Sequence, residues 1–559
     1  MSDTPYRKKL IELGLPLAAI NKASGAEKSV RHGHPSTMHL WWARRPLAAC
    51  RAVIFAQLVD DPSSHPERFP TEEAQNAERE RLFGIIEALV PWKNVTSERI
   101  MAAAKAEILA SMGSLDFTLL DPFSGGGSIP LEAQRLGLRA RASDLDPIPV
   151  ILGSCLIDFP ARFSSTPAVH PQDGFGSAAA GPAGLASDIR HYGSWMREQA
   201  FERIGSEFPS VNEATSDGMV VAWIWARSAE CPNPACRFQV PLVRSFLLAK
   251  RSKGPEWWVE PTPDLETKTI RFDVYTGALK ADRRKQLSTG TSAVSPGGKP
   301  VRATFTCPAC NAGTVKGEYV DGLASDHRLT YTPVAAVAES SGRKKYVSPI
   351  DAAGFDWSGS EAKLDEESVK RFVPTEPCRG TLASTGLRRR YGFDTFADYF
   401  TPREQLAMAT FLSLVDEVVE KVGEDAATAG MQVDDTPLVQ GGNGTRAYAE
   451  MIATYLGLAV SRCADYWSTL ATWAYDGEFV RDTFTVPGIP MAWDFAEVNP
   501  FSDSSGNWMG SVDWLARVVE KLPVREPGTV EQHDAMRPHD LEGRVVVCGS
   551  SGFTGDGMK

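Results

Sequence analysis

The stretch Phe117-Thr118-Leu119-Leu120-Asp121-Pro122-Phe123-Ser124-Gly125-Gly126-Gly127-Ser128-Ile129-Pro130-Leu131-Glu132-Ala133 decides how this chain is read. Its first four residues are an apolar run suited to a buried strand. The glycines then make a turn, and Ser128 onward reads as the opening of a helix. A strand that runs straight into glycines lets backbone come close to a small ligand, because glycine has no side chain in the way and tolerates positive φ. About twenty residues on, a second apolar-to-acidic passage, Ala140 to Asp144, sets another carboxylate at a strand end, suited to ribose hydroxyls.

An aspartate at the strand end, then Pro-Phe, then glycines, points to S-adenosylmethionine (SAM) rather than to a nucleotide phosphate. Asp121, Pro122, Phe123, Gly125, Gly127 and Ser128 are expected to line a pocket for its methionine part. Asp144 is expected on the ribose, with Asp146 near enough in sequence to exchange roles with it. A dinucleotide pyrophosphate is disfavoured, since Phe123 and Ser124 replace the Gly-x-Gly entry such a ligand needs.

Upstream, the run from His34-Pro35 to Arg44-Arg45-Pro46 is dense in polar and aromatic groups. Arginine suits a carboxylate and tryptophan suits the wall of an adenine site. This reading places His34, Pro35, Trp41 and Arg44 at the cofactor. The competing reading is an amphipathic helix with Trp41 or Trp42 in the core.

With 559 residues the chain is long enough for roughly three or four domains, each with its own core. Its apolar and charged fractions, 43% and 23%, are those of an ordinary soluble protein. No apolar run is long enough to cross a bilayer, and the N-terminus lacks a signal-peptide core, so a cytoplasmic protein is expected. A net charge of -11 excludes a general polyanion binder. Contact with nucleic acid needs a local basic face, for which Arg388-Arg389-Arg390 and Arg283-Arg284-Lys285 are candidates, each equally readable as solvated surface.

Four of the nine cysteines fall in two close pairs, Cys231-Pro232-Asn233-Pro234-Ala235-Cys236 and Cys307-Pro308-Ala309-Cys310. Two such knuckles give four thiolates for a closed tetrahedral Zn2+ site of structural kind, with Cys231, Cys236, Cys307 and Cys310 as ligands. Cys50, Cys155, Cys378, Cys463 and Cys548 read as isolated thiols.

The organisation expected is an N-terminal domain (1–75), the first half of an α/β core (76–165), a zinc-ribbon insert (188–345), a mainly helical insert (346–535), and a returning core strand with a short tail (536–559). Ser164 to Ser187 reads as a linker and Ser288 to Pro300 as a loop. Thr401-Pro402-Arg403-Glu404 carries a helix-start signal, with Gly423 as its stop. A second helix is expected from Tyr448 to Trp473, and a last strand from Arg544 to Cys548.

Several of these segments together resemble one family. The runs Arg31 to Thr37 and Trp41 to Pro46 resemble the opening domain of unknown function in adenine-specific DNA methylases that contain a zinc ribbon. Asp121 to Ala133 is similar to that family's SAM motif, the paired cysteines match its ribbon, and Trp493 to Ser502 resembles a later segment. The resemblance implies a Rossmann-like, SAM-dependent methyltransferase core acting on the exocyclic amino nitrogen of adenine in DNA, in a restriction or phage-defence setting. Target contacts would then come from the zinc ribbon and the helical insert.

The sequence departs from that family at one point. Amino methyltransferases hold the amine with Asp, Asn or Ser, then Pro-Pro, then an aromatic that stacks on the flipped base. This chain contains no Pro-Pro dipeptide. Asn499-Pro500-Phe501 is the nearest imitation, and it reads as structural, with no strand before it. After Arg544 to Cys548 the expected loop is replaced by Gly549-Ser550-Ser551. Codons for these residues, read one base later, can spell Asp-Pro-Pro. The expectation is a core incomplete at its C-terminus and inactive alone, with the catalytic loop lost or carried by a second polypeptide. The alternative is a non-catalytic DNA-binding or partner subunit.

Overall fold

Thr118–Asp121 forms a buried strand in the computed structural model, which describes residues 6–41, 43–171, 179–210, 219–251, 254–295, 300–311, 313–340, 342–378, 391–484, 490–524, 526–540 and 545–547. The protein is mixed α/β and divides into two compact units. One lies within Met1–Tyr192, Val419–Leu458 and Val512–Lys559, the other within Gly193–Val418 and Ala459–Ser511. Residues 1–75 and 76–165, expected as separate domains, share the first unit. The expected 346–535 insert is divided between the two.

The first unit is built on four parallel strands. They are β1 (Thr118–Asp121), β2 (Arg139–Asp144), β3 (Thr529–Gln532) and β4 (Val545–Val547), in the order β3-β2-β1-β4. Leu119 sits opposite Ala140 on one side and Val546 on the other, while Val530 faces Ala142. Parallel neighbours cannot be joined by a hairpin, so each needs a crossover. Helix Ser128–Arg135 supplies the one from β1 to β2. β3 was not legible as a strand, since Thr529-Val530-Glu531-Gln532 has a single apolar residue. Its pairing with β2 imposes the extended form. Arg544 and Cys548, expected to bound β4, lie outside the described residues.

Helices Leu17–Glu27, Leu47–Leu58, Glu72–Leu89 and Glu98–Met112 belong to the same unit. Helix Leu47–Leu58 is buried along most of its length, and Arg51 on it is fully enclosed. Arg51 donates to Glu132 at 3.0 Å, to Glu27 at 3.4 Å and to the Val90 carbonyl at 3.0 Å. Glu132, also fully buried, accepts from Arg135 at 3.4 Å. Such charges are tolerated inside only when paired, and here the pairing ties the N-terminal helices to the helix behind the glycine turn.

The second unit is dominated by antiparallel sheets. Met219–Glu230, a near-continuous apolar run, is the buried centre of one, between Thr330–Ser340 and Asp494–Val498. Arg343–Val347 and Gln239–Pro241 complete that sheet. Leu247–Ala249, Glu256–Asp264 and Thr269–Gly277 form a second, and Ser292–Val294, Pro300–Thr306 and Thr314–Lys316 a third.

Several expectations from sequence are corrected. The linker expected over Ser164 to Ser187 ends early, because helix Gly181–Ile204 begins inside it with Pro182 in its first turn. Ser292–Val294 falls inside the loop expected over Ser288 to Pro300. The Thr401 capping box forms, with Glu404 N–H donating to Thr401 Oγ1 and Thr401 N–H to Glu404 Oε2. Gly423 does not stop that helix, which runs over Pro402–Thr428, since no positive φ is needed there and one glycine costs only about 1 kcal/mol. The next helix is Thr445–Cys463, and Trp473 lies instead in strand Thr472–Ala474. Asn499 does follow a strand, Asp494–Val498, although an antiparallel one.

Candidate functional site

The glycine turn sits at the C-terminal ends of β1 and β2. Gly125 and Gly127 have φ of +47° and +73°, values that side chains resist. The turn is fastened to β2, with Ser124 N–H donating to the Ser143 carbonyl at 3.0 Å and Gly125 N–H to Asp144 Oδ2 at 2.9 Å.

Trp41 and Arg44 roof this turn. A Cβ on Gly125 would lie 2.9 Å from Trp41 Nε1, and one on Gly126 2.9 Å from Arg44 Cγ. Arg44 also donates to the Gly126 carbonyl at 3.2 Å and to the His39 carbonyl at 2.9 Å. The amphipathic-helix reading is therefore overturned. One 3-10 turn, Pro35–Thr37, is followed by irregular chain until helix Leu47–Leu58 begins after Pro46. Trp42 lies outside the described residues.

His34 is buried and packs against Trp92, ring centroids 4.6 Å apart. Its Nδ1 accepts from Ser36 N–H at 3.2 Å, which leaves the proton on Nε2. That buried Nε2 has no hydrogen-bond partner. Burial first, and then the charges of Arg44, Arg51 and Arg135, push His34 down to about 4, so it stays a neutral donor at neutral pH. With Lys28, Ser36, Arg44, Ser128 and Glu27 it lines a pocket of about 150 Å³. Apart from Glu27, those groups suit a carboxylate or other small anion. Pro35 lines the same pocket.

Asp121 is 1% exposed at the end of β1. Its Oδ1 accepts from Phe123 N–H at 3.1 Å, while Oδ2 is buried with no partner. Burial, aided by the charge of Asp144 and opposed by the Phe123 N–H, pushes its carboxyl up to about 7. A cationic group beside Oδ2 would relieve that cost.

Asp144 holds the turn with one oxygen and accepts from Asp146 N–H at 3.1 Å with the other, so its first task is positional. Asp146 accepts from Ile148 N–H at 2.9 Å through Oδ1 and caps helix Pro147–Gly153. Phe123 is 45% exposed beside the turn. Leu145 and Ile148 offer exposed apolar surface beyond β2, where sequence reasoning noted only the carboxylates. The signal was an apolar residue between two aspartates at a strand end.

In the second unit, Cys231, Cys236, Cys307 and Cys310 come together with all four Sγ atoms within 4.8 Å of one another. Cys231 and Cys310 are 4.0 Å apart, Cys236 and Cys307 3.8 Å. A tetrahedron with metal–sulfur bonds of about 2.3 Å has edges of about 3.8 Å, so the cluster is at metal-binding distance and compatible with a structural zinc. The residues after the second cysteines, Arg237 and Asn311, have φ of 55° and 54°, closing each knuckle in the left-handed form. Gly313 N–H donates to Cys310 Sγ at 3.2 Å, and a Cβ there would lie 2.5 Å from Cys231 Sγ. Burial pushes the Cys231 thiol up to about 12 and raises Cys307, a cost that a divalent cation reverses by stabilising thiolates.

Of the basic triplets, Arg283 and Arg284 are paired with Glu260 at 2.6 Å and Glu256 at 2.7 Å, which lowers their value as a polyanion face. Arg388-Arg389-Arg390 lies outside the described residues. Asn499 donates to the Val220 carbonyl at 2.7 Å and accepts from Phe501 N–H at 3.0 Å, so both ends of its amide serve structure. Among the described residues, no helix is long and apolar enough to cross a membrane.

Compared with known proteins, residues 14–85 match a family model described as a protein of unknown function, DUF1156. No curated protein and no solved structure matches the chain.

Proposed function

We propose that this chain is a SAM-dependent methyltransferase homologue with a Rossmann-like core, directed at the exocyclic amino group of adenine in DNA. The observation that carries the reading is Asp121, a buried carboxylate with one unpartnered oxygen beside a glycine turn at a strand end. SAM supplies an activated methyl group and also carries an ammonium and a carboxylate. Asp121 would take the ammonium, and His34 with Arg44 would face the carboxylate. The β3-β2-β1-β4 order supports the fold, because ligands of parallel sheets sit beyond the strands' carboxyl ends. Adenine and DNA as targets rest on the family resemblance alone, and Zn2+ in the cysteine cluster holds the second unit together.

One observation favours a second form of the reading. No Pro-Pro dipeptide exists, and Asn499 is committed to backbone partners. The chain then binds cofactor and DNA while a second polypeptide brings the amine-holding loop.

Calorimetry of SAM with the zinc-loaded chain is the test. Binding is expected, weakened about 10- to 100-fold in Asp121→Asn, which loses one charged hydrogen bond. Transfer of labelled methyl to duplex DNA, alone or only with an adjacent gene product, separates the two forms. No heat with SAM overturns both.

A further inference from the structure

Arg227, on the central strand Met219–Glu230 of the second unit, is 2% exposed. Its Nη1 donates to the Thr469 carbonyl at 3.0 Å and to the Ala492 carbonyl at 2.9 Å, and its Nη2 to Thr469 Oγ1 at 2.9 Å. All three acceptors are neutral. The enclosed Arg51 and Arg403 are each ion-paired with glutamate, whereas among the described residues no carboxylate is ion-paired with Arg227.

The faces of Tyr331, Phe393 and Phe495 surround this charge, with ring centroids 5.8, 5.4 and 5.3 Å from Cζ. Such rings attract a cation without cancelling it. Glu404 attracts it too, but burial, and then the charge of Glu497, hold that carboxyl well above the usual range and weaken it as a counter-ion.

A guanidinium carries five N–H donors, so Nε–H and one hydrogen of Nη2 are left over. Nη1 and Nη2 both reach Thr469, so the end of the fork faces that residue. The edge that remains is the side edge, Nε–H beside the second Nη2 hydrogen. That edge receives the two oxygens of a carboxylate or phosphate in parallel. An enclosed cation without a counter-ion is costly, and an oxyanion there removes the cost.

Arg227 borders a cavity of about 270 Å³, which lies wholly in the second unit and is walled by Tyr331, Tyr391, Phe393 and Phe400. His327, Asp398 and Gln405 also line it. Asp398 is the competing charge, and its Oδ2 is occupied by Thr395 N–H at 2.7 Å and Thr395 Oγ1 at 3.1 Å. The His327 ring is engaged by Asp394 at 3.0 Å. An anion in this cavity therefore depends on the Arg227 fork, and the aromatic walls favour one carried on a flat ring. Ligand pockets commonly span about 300–1,000 Å³, so a single ring is the expected size.

We propose that this cavity binds a small planar-ring molecule through its carboxylate or phosphate group, received by the free edge of Arg227. The proposal does not depend on the methyltransferase reading.

Full-length chain is titrated by calorimetry with benzoate, phenyl phosphate and benzamide, the last having the shape of benzoate without its charge. One benzoate or phenyl phosphate per chain is expected, and the tighter of the two tells carboxylate from phosphate. Benzamide should bind at least about tenfold more weakly. Leu329→Trp, which fills the cavity from its wall and leaves Arg227 in place, should abolish binding. Arg227→Lys keeps the charge but loses the fork, and should weaken binding about 10- to 100-fold. An unchanged unfolding temperature reports that each variant is folded, and Leu329→Trp carries the test where Arg227→Lys is not. No binding of either anion, benzamide binding equal to benzoate, or full binding by Leu329→Trp overturns the proposal.

Discussion

The glycine turn and the cysteine cluster are both tight backbone bends, but they are held in opposite ways. Each cysteine knuckle closes with its own residues, a left-handed Arg237 or Asn311 directly after the second cysteine. The two knuckles meet at four sulfurs, at a separation compatible with one shared cation. The glycine turn is shaped from a distance. Trp41 and Arg44 press on it from eighty residues upstream, Asp144 ties it to β2, and the Glu27, Arg51, Glu132 and Arg135 charges fix the helix behind it. One bend brings four sulfurs to metal-binding distance, and the other rests on packing that many residues share.

Cys307→Ser should break the comparison most sharply. Losing one ligand of a structural cation outweighs any single substitution at the turn, because metal binding there is also folding free energy. Elemental analysis should show zinc lost, with a lower unfolding temperature. Retained zinc and unchanged unfolding would remove the contrast.

Glu132→Ala tests the other side. It removes the carboxylate that buried Arg51 and Arg135 share, and urea unfolding should show a loss of about 3–5 kcal/mol. Glu132→Gln, which keeps an acceptor, should cost less. A loss near zero from Glu132→Ala would mean the turn is not held through this network.

The pH dependence of SAM binding sharpens the reading of Asp121. Its carboxyl is raised to about 7, so it is largely protonated below that pH. A cationic headgroup needs the ionised form, so affinity should rise about tenfold per unit up to pH 7 and then level. In the ligand-free protein the sign is opposite. The unfolded carboxyl ionises near about 3.9, so the stability its protonation gives is whole below that value and is lost between it and about 7. Asp121→Asn should flatten both profiles, and a persistent slope would assign it to another group.

Gly125→Ala should cost about 1–3 kcal/mol, through its positive φ and the clash with Trp41 Nε1. Combined with Trp41→Ala, the cost should be less than additive. Strict additivity in that double-mutant cycle would show that Trp41 does not crowd the turn.

The same difference explains what could be read from the chain. Cys231 to Cys236 and Cys307 to Cys310 were legible because spacing alone encodes a knuckle. β1, the turn and β2 were legible because strand, glycines and acidic end follow one another directly. The irregular path of His34 to Pro46 was not, since its aromatic and basic residues fit a helix as well as a roof. β3 was not, because its four residues become a strand only by pairing with β2.

Arg141 on β2 and Glu531 on β3 meet across 390 residues of chain. During synthesis, at about 5–20 residues per second, β2 leaves the ribosome roughly 20 to 80 seconds before its neighbour exists. Through that interval its unpaired edge is a template for other nascent chains, and chaperone capture is the expected safeguard. Yield in cells should therefore respond to chaperone supply and growth temperature more than the finished protein's stability would suggest.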